Sequence, residues 1–132
     1  MKVVEVAVGV IKRGDKIYIS KRADILHQGG LWEFPGGKRE QQESIEQALC
    51  RELLEEVNIN VLEQQALMVI EHDYGDKKVK LDVRLVEQFL GEPSPQENQL
   101  AQWVNIDELN NYEFPQANLP IIEHLMKISG NH

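Results

Sequence analysis

The stretch Gly37–Ile59, GKREQQESIEQALCRELLEEVNI, carries the densest chemistry in the chain. Glu52 and Glu56 are spaced i,i+4, with Glu55 between them on the same side. At about 100° per residue in a helix, Glu52 and Glu56 project onto the stripe set by Ile45, Ala48 and Leu49. An ordinary amphipathic helix carries apolar residues there. Two like charges at this spacing cost about 0.2–0.5 kcal/mol in water, and more when partly buried. A hard divalent cation with oxygen ligands would offset that cost. Arg51, four residues before Glu55, is a second source of positive charge. The plain alternative is a solvated acidic face with i,i+4 pairing, the commoner arrangement for acidic helices. Its overlap with the apolar stripe counts against it here.

The elements that must position these acids are legible. Ser44 is a good N-cap, and Gln47 completes a capping-box pattern. Ile45, Ala48, Leu49, Leu53 and Val57 recur at helical spacing, and Asn58 is a plausible left-handed terminator. Before the helix, Val4, Val6, Val8 and Val10 mark a strand over Val3–Ile11, central because it is so poor in polar residues. Arg13-Gly14-Asp15 turns the chain into a second strand that ends near Arg22. Ala23–Leu31 is a loop, Trp32–Phe34 a short extended piece, and Gly36-Gly37 a release into loop after Pro35. Beyond the helix, strands are expected at Gln65–Tyr74 and Lys77–Val86, joined by a Gly75-Asp76 turn. Gly91–Gln99 is a loop. Leu100–Val104 is a short strand around Trp103, read as core. A helical turn over Ile106–Leu109, an irregular stretch Asn110–Asn118 and a final helix from Pro120 complete the chain.

Composition narrows the classes. The 132 residues suit one domain, 1–132, with one core. Hydrophobic content of 42% and a mean hydropathy of −0.41 describe a soluble globular protein. No apolar run approaches the roughly 20 residues of a membrane span. The N-terminus alternates like a strand and has no signal-peptide pattern, and the single cysteine, Cys50, excludes an internal disulfide. Both make the cytoplasm the expected location. A net charge of −8 disfavours a nucleic-acid polymer as partner. A small nucleotide is compatible with it, because a metal ion can carry the phosphate charge. A monomer is expected.

The spacing resembles the Nudix box. Gly37, Glu43 after five residues, Arg51-Glu52 after seven more, then Leu53, Glu55-Glu56 and Ile59 match that signature. Asn58 stands where the family has glycine, and asparagine tolerates the same left-handed backbone. The resemblance implies an α+β fold, an α/β/α sandwich with a mixed sheet, the box helix on one face and a C-terminal helix. It implies pyrophosphate-bond hydrolysis with Mg²⁺, or Mn²⁺ in its place. Glu52, Glu55 and Glu56 are then the metal-binding core and the Gly37 carbonyl a further ligand, with Glu43 and Arg51 orienting them. Glu52 is also the candidate general base. Ligand and base both need an ionised carboxylate in one place, so sequence leaves these two roles open. Glu97 is the candidate for a fourth carboxylate from outside the box. Taken by position alone, it is a solvated loop acid.

Outside the box, AVGVI near the start, Lys21-Arg22, His27, WEFPGGK at Trp32–Lys38 and FPQANLPII at Phe114–Ile122 are similar to the MutT-like branch, the 8-oxo-dGTP diphosphatases. Base recognition then falls to Arg22, Phe34 and Asn118, with His27 as a minor candidate. Asn118 has a physical case. Its carboxamide offers both an acceptor and donors, and 8-oxoguanine presents an N7–H donor beside the O6 acceptor where guanine presents two acceptors. Simpler roles exist for each: a helix cap for Asn118, a surface charge for Arg22, an exposed loop residue for His27, core for Phe34. Two departures bear on the base. Lys77–Val86 is more polar than in that branch, and Lys77 replaces an arginine, which a lysine cannot match in planar contacts. The alternative is a CTP or modified-pyrimidine triphosphate pyrophosphohydrolase, suggested by Trp32-Glu33-Phe34 after Gly29-Gly30-Leu31. That group tends to carry aspartate at the Asn118 position. A non-catalytic Nudix-like module is disfavoured by the full set of box acids, and an RNA-cap hydrolase by the acidic composition.

Overall fold

The computed structural model describes residues 2–21, 30–96 and 100–129. Within them run β1 (Lys2–Arg13), β2 (Lys16–Lys21), β3 (Trp32–Glu33), β4 (Gly36–Lys38), α1 (Ile45–Val57), β5 (Asn60–Asp73), β6 (Lys77–Leu90), β7 (Ala101–Asn105) and α2 (Leu119–Ser129). Two 3₁₀ turns, Ile106–Asn111 and Gln116–Asn118, precede α2. The strands form one mixed sheet in the order β3-β2-β1-β6-β5, with β4 also pairing β1 and β7 also pairing β2. β1 is central, as its apolar run demands, and lies parallel to β6 from Lys2↔Lys77 to Ile11↔Val86. The other pairings are antiparallel.

Alternation along β1 sends its residues to two cores. Ala7 and Ile11 join Val86 beneath Ala48, Leu49, Leu53 and Val57 of α1. Val8 and Val10 join Val83 beneath Ile121, Ile122 and Leu125 of α2. The result is the expected α+β arrangement of one helix on each face of a mixed sheet. The α2 face is only part covered. A helix of 11 residues spans about 16 Å, whereas a strand of 12 spans about 40 Å. One end of that face is therefore left open, and it becomes the floor of a cleft.

Several boundaries differ from expectation. Gly36 and Gly37 do not release the chain into a loop. They pair with Val8 and Ala7 as β4. Gly36 lies so close to β1 that a Cβ on it would collide with the Ala7 carbonyl oxygen. β5 starts at Asn60, five residues early, because register shifts between Val61 and Glu63, Glu63 and Gln65, and Ala66 and Met68 break the alternation that marks a strand. β6 runs on to Leu90. The stretch Asn110–Asn118 contains 3₁₀ turns. Trp103 is half-buried, its ring edge-on to Tyr18 at 5.5 Å.

Candidate active site

The capping box holds the start of α1. The Gln47 amide donates to the Ser44 hydroxyl at 3.1 Å, and the Ser44 amide donates to Gln47 Oε1 at 2.8 Å. Asn58 ends the helix at φ 59°, ψ 40°, the left-handed conformation that asparagine tolerates. The loop before α1 is fixed by Arg39. Its Nε donates to Glu5 at 2.7 Å and its Nη1 to the Glu43 carbonyl at 2.9 Å.

Arg51 is the hub of the acids. Its Nη2 and Nε form a fork onto the two Glu43 oxygens at 2.6 and 3.1 Å. Nη1 donates to Glu52 at 2.8 Å and reaches Glu55 at 3.5 Å, while Nη2 also donates to the Lys38 carbonyl at 3.1 Å. One guanidinium thereby ties the loop, β4 and two turns of α1 together. The fork from Arg51, helped by the Glu40 amide, holds the Glu43 carboxyl down at about 2. The same bond to Glu43 raises Arg51 above its ordinary range.

Glu52 and Glu56 face inward, as their helical phase predicts. The Glu52 side chain is 15% exposed, against 58% for Glu55 at the solvent edge. Glu52 lies against Gly37, where a Cβ would sit 2.5 and 2.6 Å from its two oxygens. Only glycine leaves room for that carboxylate. The Gly36 amide donates to Glu56 at 3.1 Å. This cradle offers oxygen donors alone, which suits a hard divalent cation. Cys50 is turned elsewhere, with Gln64 Nε2 at 3.6 Å from its sulfur. Among the described residues, no three His, Cys, Asp or Glu side chains are already grouped to hold an ion. Glu52 and Glu56, on either side of the Gly36-Gly37 backbone, offer such a cation part of a ligand set.

Beside the cradle opens a cleft of about 390 Å³. Its floor is Val4, Val6 and Val8 of β1 with Val79 and Leu81 of β6, the uncovered end of the α2 face. Phe34, Gly36, Gly37 and Lys38 form one wall, and Pro115, Ala117 and Asn118 another. Tyr74 and Lys77 close the end. Phe34 is only 5% exposed and stacks on Phe114 at 5.2 Å with 19° between planes. It is core and cleft lining at once. Asn118 is placed by a 3₁₀ turn in which its amide donates to the Pro115 carbonyl at 2.9 Å.

Of the residues singled out from sequence, Glu43, Arg51, Glu52 and Glu55 join in one network, Gly37 and Glu56 complete the cradle, and Phe34 and Asn118 share the cleft. Arg22, His27 and Glu97 lie outside the described residues. The valine floor and Tyr74 were not assigned to the site, and Lys77 stood out only as a departure that bears on the base. The shortness of α2 beside the length of β1 was the available signal for the floor. Tyr74 carried none, since nothing in a turn says which side of a sheet it rims, whereas Lys77 was marked by its departure from the arginine of the resembling branch.

The model of the NUDIX domain matches residues 6–124. The chain is 39% identical over 129 residues to the 8-oxo-dGTP diphosphatase of Escherichia coli, covering 97% of this chain and all of the relative. It is 34% identical over 128 residues to the E. coli CTP pyrophosphohydrolase, covering 97% of each. A solved MutT structure, from work on Aliivibrio salmonicida and Vibrio cholerae, superposes with a TM-score of 0.86 at 42% identity, covering 96% of this chain and 98% of the other.

Proposed function

This chain belongs to the Nudix family, and from that premise we infer that it is an 8-oxo-dGTP diphosphatase, dependent on a divalent cation. Water adds to phosphorus, one bridging P–O bond breaks, and 8-oxo-dGMP and pyrophosphate leave. The observation that carries this reading is the continuity of the cleft. Asn118 and Phe34 line the same 390 Å³ space as Gly37, against which Glu52 rests. A base held between Phe34 and Asn118 would direct its phosphates toward Gly37, beside which Glu52 lies.

Glu52, Glu55, Glu56 and the Gly37 carbonyl would hold Mg²⁺, with Mn²⁺ as a substitute. Glu97 is proposed as a further ligand, on the support that its neighbour Gln96 donates its amide to the Glu56 carbonyl at 3.0 Å. A bound cation neutralises phosphate oxygens and favours ionisation of the attacking water. Glu52, oriented by its bond from Arg51, is the proposed acceptor of that water's proton. Glu43 keeps Arg51 in place. The valine floor takes the apolar face of the base, and the Asn118 carboxamide pairs with its oxidised edge. A half-buried amide, covered by the bound base and left unpaired by guanine, gives the discrimination. Arg22 and His27 remain proposed contacts to the nucleotide.

We read the 132 residues as one domain acting as a monomer on a small nucleotide in the cytoplasm. Among the described residues no helix is long and apolar enough to cross a membrane. The test is a substrate panel with Mg²⁺: 8-oxo-dGTP, dGTP, CTP and 5-hydroxy-CTP, scoring pyrophosphate release. Preference for 8-oxo-dGTP over dGTP is expected, together with its loss in Glu52→Gln. A preference for pyrimidine triphosphates would replace the base assignment by the second reading, which the CTP pyrophosphohydrolase relative favours. No turnover of any nucleotide would return the non-catalytic module.

A further inference from the structure

A helix leaves its last carbonyls without partners inside the helix. In α1 the Asn58 amide serves Leu53 and Leu54. Two of the later acceptors, those of Glu56 and Val57, are served from outside. The Ser94 amide donates to the Val57 carbonyl at 3.0 Å, and the Gln96 amide to the Glu56 carbonyl at 3.0 Å. The segment that does this reads Glu92-Pro93-Ser94-Pro95-Gln96. The Ser94 and Gln96 amides both reach the helix end, and the residues that precede each of them, Pro93 and Pro95, have no amide to satisfy. Proline also fixes φ, so a Pro-X-Pro segment is semi-rigid before it docks. Pro93 is buried. Gln96 Nε2 folds back onto the Ser94 carbonyl and hydroxyl at 3.1 and 2.9 Å. At the other end Glu92 pairs with Arg13 at 3.1 Å, and the Arg13 guanidinium lies 4.7 Å from the Trp103 ring centre and 5.4 Å from that of Phe89.

We propose that Glu92–Gln96 is a positioning strap that fixes the backbone carrying Glu56 and so sets the affinity of the site for its divalent cation. This rests on the reading of Glu56 as a cation ligand. Glu56 is held at both ends: its carboxylate accepts from the Gly36 amide at 3.1 Å, and its carbonyl accepts from the Gln96 amide. Groups that orient a ligand commonly change metal affinity about tenfold or more when lost. Gln96 is accordingly a positioning residue, acting through its amide.

The experiment is a Mn²⁺ titration of the free protein, reading unbound Mn²⁺ by electron paramagnetic resonance, beside Mg²⁺ activation curves and thermal unfolding. Gln96→Pro removes the donor, and a Pro93→Ala/Pro95→Ala double variant keeps both donors but loosens the segment. Both are expected to weaken Mn²⁺ binding, the first by about tenfold, while KM for the nucleotide at saturating Mg²⁺ stays within twofold. Gln96→Ala returns the amide without the side chain and restores the parent's affinity. Should Gln96→Pro fail to fold, the double variant decides. Parent-like Mn²⁺ affinity in the strap variants, with binding abolished in Glu56→Gln, would overturn the strap alone. Mn²⁺ binding that survives Glu56→Gln would overturn the ligand assignment and the strap with it.

Discussion

Adding one methyl group at Gly37 tests the cradle directly. A Cβ there would sit 2.5 and 2.6 Å from the Glu52 oxygens. An ordinary contact to a carbon is about 3.5 Å, so the carboxylate must withdraw by about 1 Å. Glu52 is the end of a flexible side chain and can do so. Gly37 is not among the glycines with positive φ, so alanine imposes no backbone strain of its own. The fold should therefore persist while the carboxylate is displaced. A misplacement of about 1 Å at a reacting group costs about 100-fold in rate, or about 2.7 kcal/mol of barrier. The assay is Mg²⁺-dependent pyrophosphate release from 8-oxo-dGTP, with a thermal melt of the same sample. The neighbouring residue supplies the contrast. At Gly36 the methyl group would meet the Ala7 backbone carbonyl, which cannot move without breaking the pairing of β4 with β1. Gly36→Ala is expected to lose about 2 kcal/mol or more of stability. The reasoning is refuted if Gly37→Ala keeps its rate within threefold of the parent, or if it loses activity only as far as it loses fold.

Tyr18 is 3% exposed, and its hydroxyl has no hydrogen-bond partner among the described residues. Tyr18→Phe should raise stability by about 1 kcal/mol, seen as a higher Tm; a lower Tm would show a partner. Burial, then the Glu92 charge, raises the Tyr18 phenol, so its neutral form contributes stability that is lost as pH rises through that raised value. The same variant should flatten the alkaline end of the stability profile. Glu43 has the opposite sign. Its native value near 2 lies below the unfolded one, so its contribution is present above about pH 4.5 and lost as pH falls toward 2. Between pH 5 and 2 the Tm of Glu43→Gln should fall less than the parent's, and equal slopes would remove the Arg51–Glu43 pair from the account. Asn118→Asp should lower the preference for 8-oxo-dGTP over dGTP by about tenfold or more, and an unchanged ratio in a substrate competition would take Asn118 out of base recognition.

The acid site was legible because its information is local. Capping box, terminator and helical phase all lie within Ser44–Asn58, and each took the conformation its side chain favours. The inward direction of Glu52 and Glu56 followed from phase alone. What phase could not tell is that Glu55 leans to solvent, since that depends on β4 standing beside one edge of α1. The role of Gly36 and Gly37 was hidden for a related reason. Two glycines after a proline read as a turn, and only the approach of β1 turns them into a strand. The cleft needed tertiary information throughout. Its walls come from β1, β4, β6 and a 3₁₀ turn, and no single stretch of sequence records that they meet.

The pairing of β1 with β6 has a kinetic consequence. It joins Lys2 to Lys77 and continues to Ile11 with Val86, partners from opposite halves of the chain. The β5–β6 hairpin, by contrast, closes through a short turn at Tyr74–Asp76. Contacts close in sequence form sooner, because less loop entropy is lost in making them. The hairpin should be the early nucleus and β1 the late arrival, although β1 leaves the ribosome well before β6. For that interval the edge of the valine-rich β1 that β6 will cover has no partner, and it is open to other chains. Refolding yield should then fall with protein concentration more steeply than the stability of the finished fold would suggest. Substitutions in the turn that slow hairpin closure should lower the yield further while leaving the native Tm nearly unchanged.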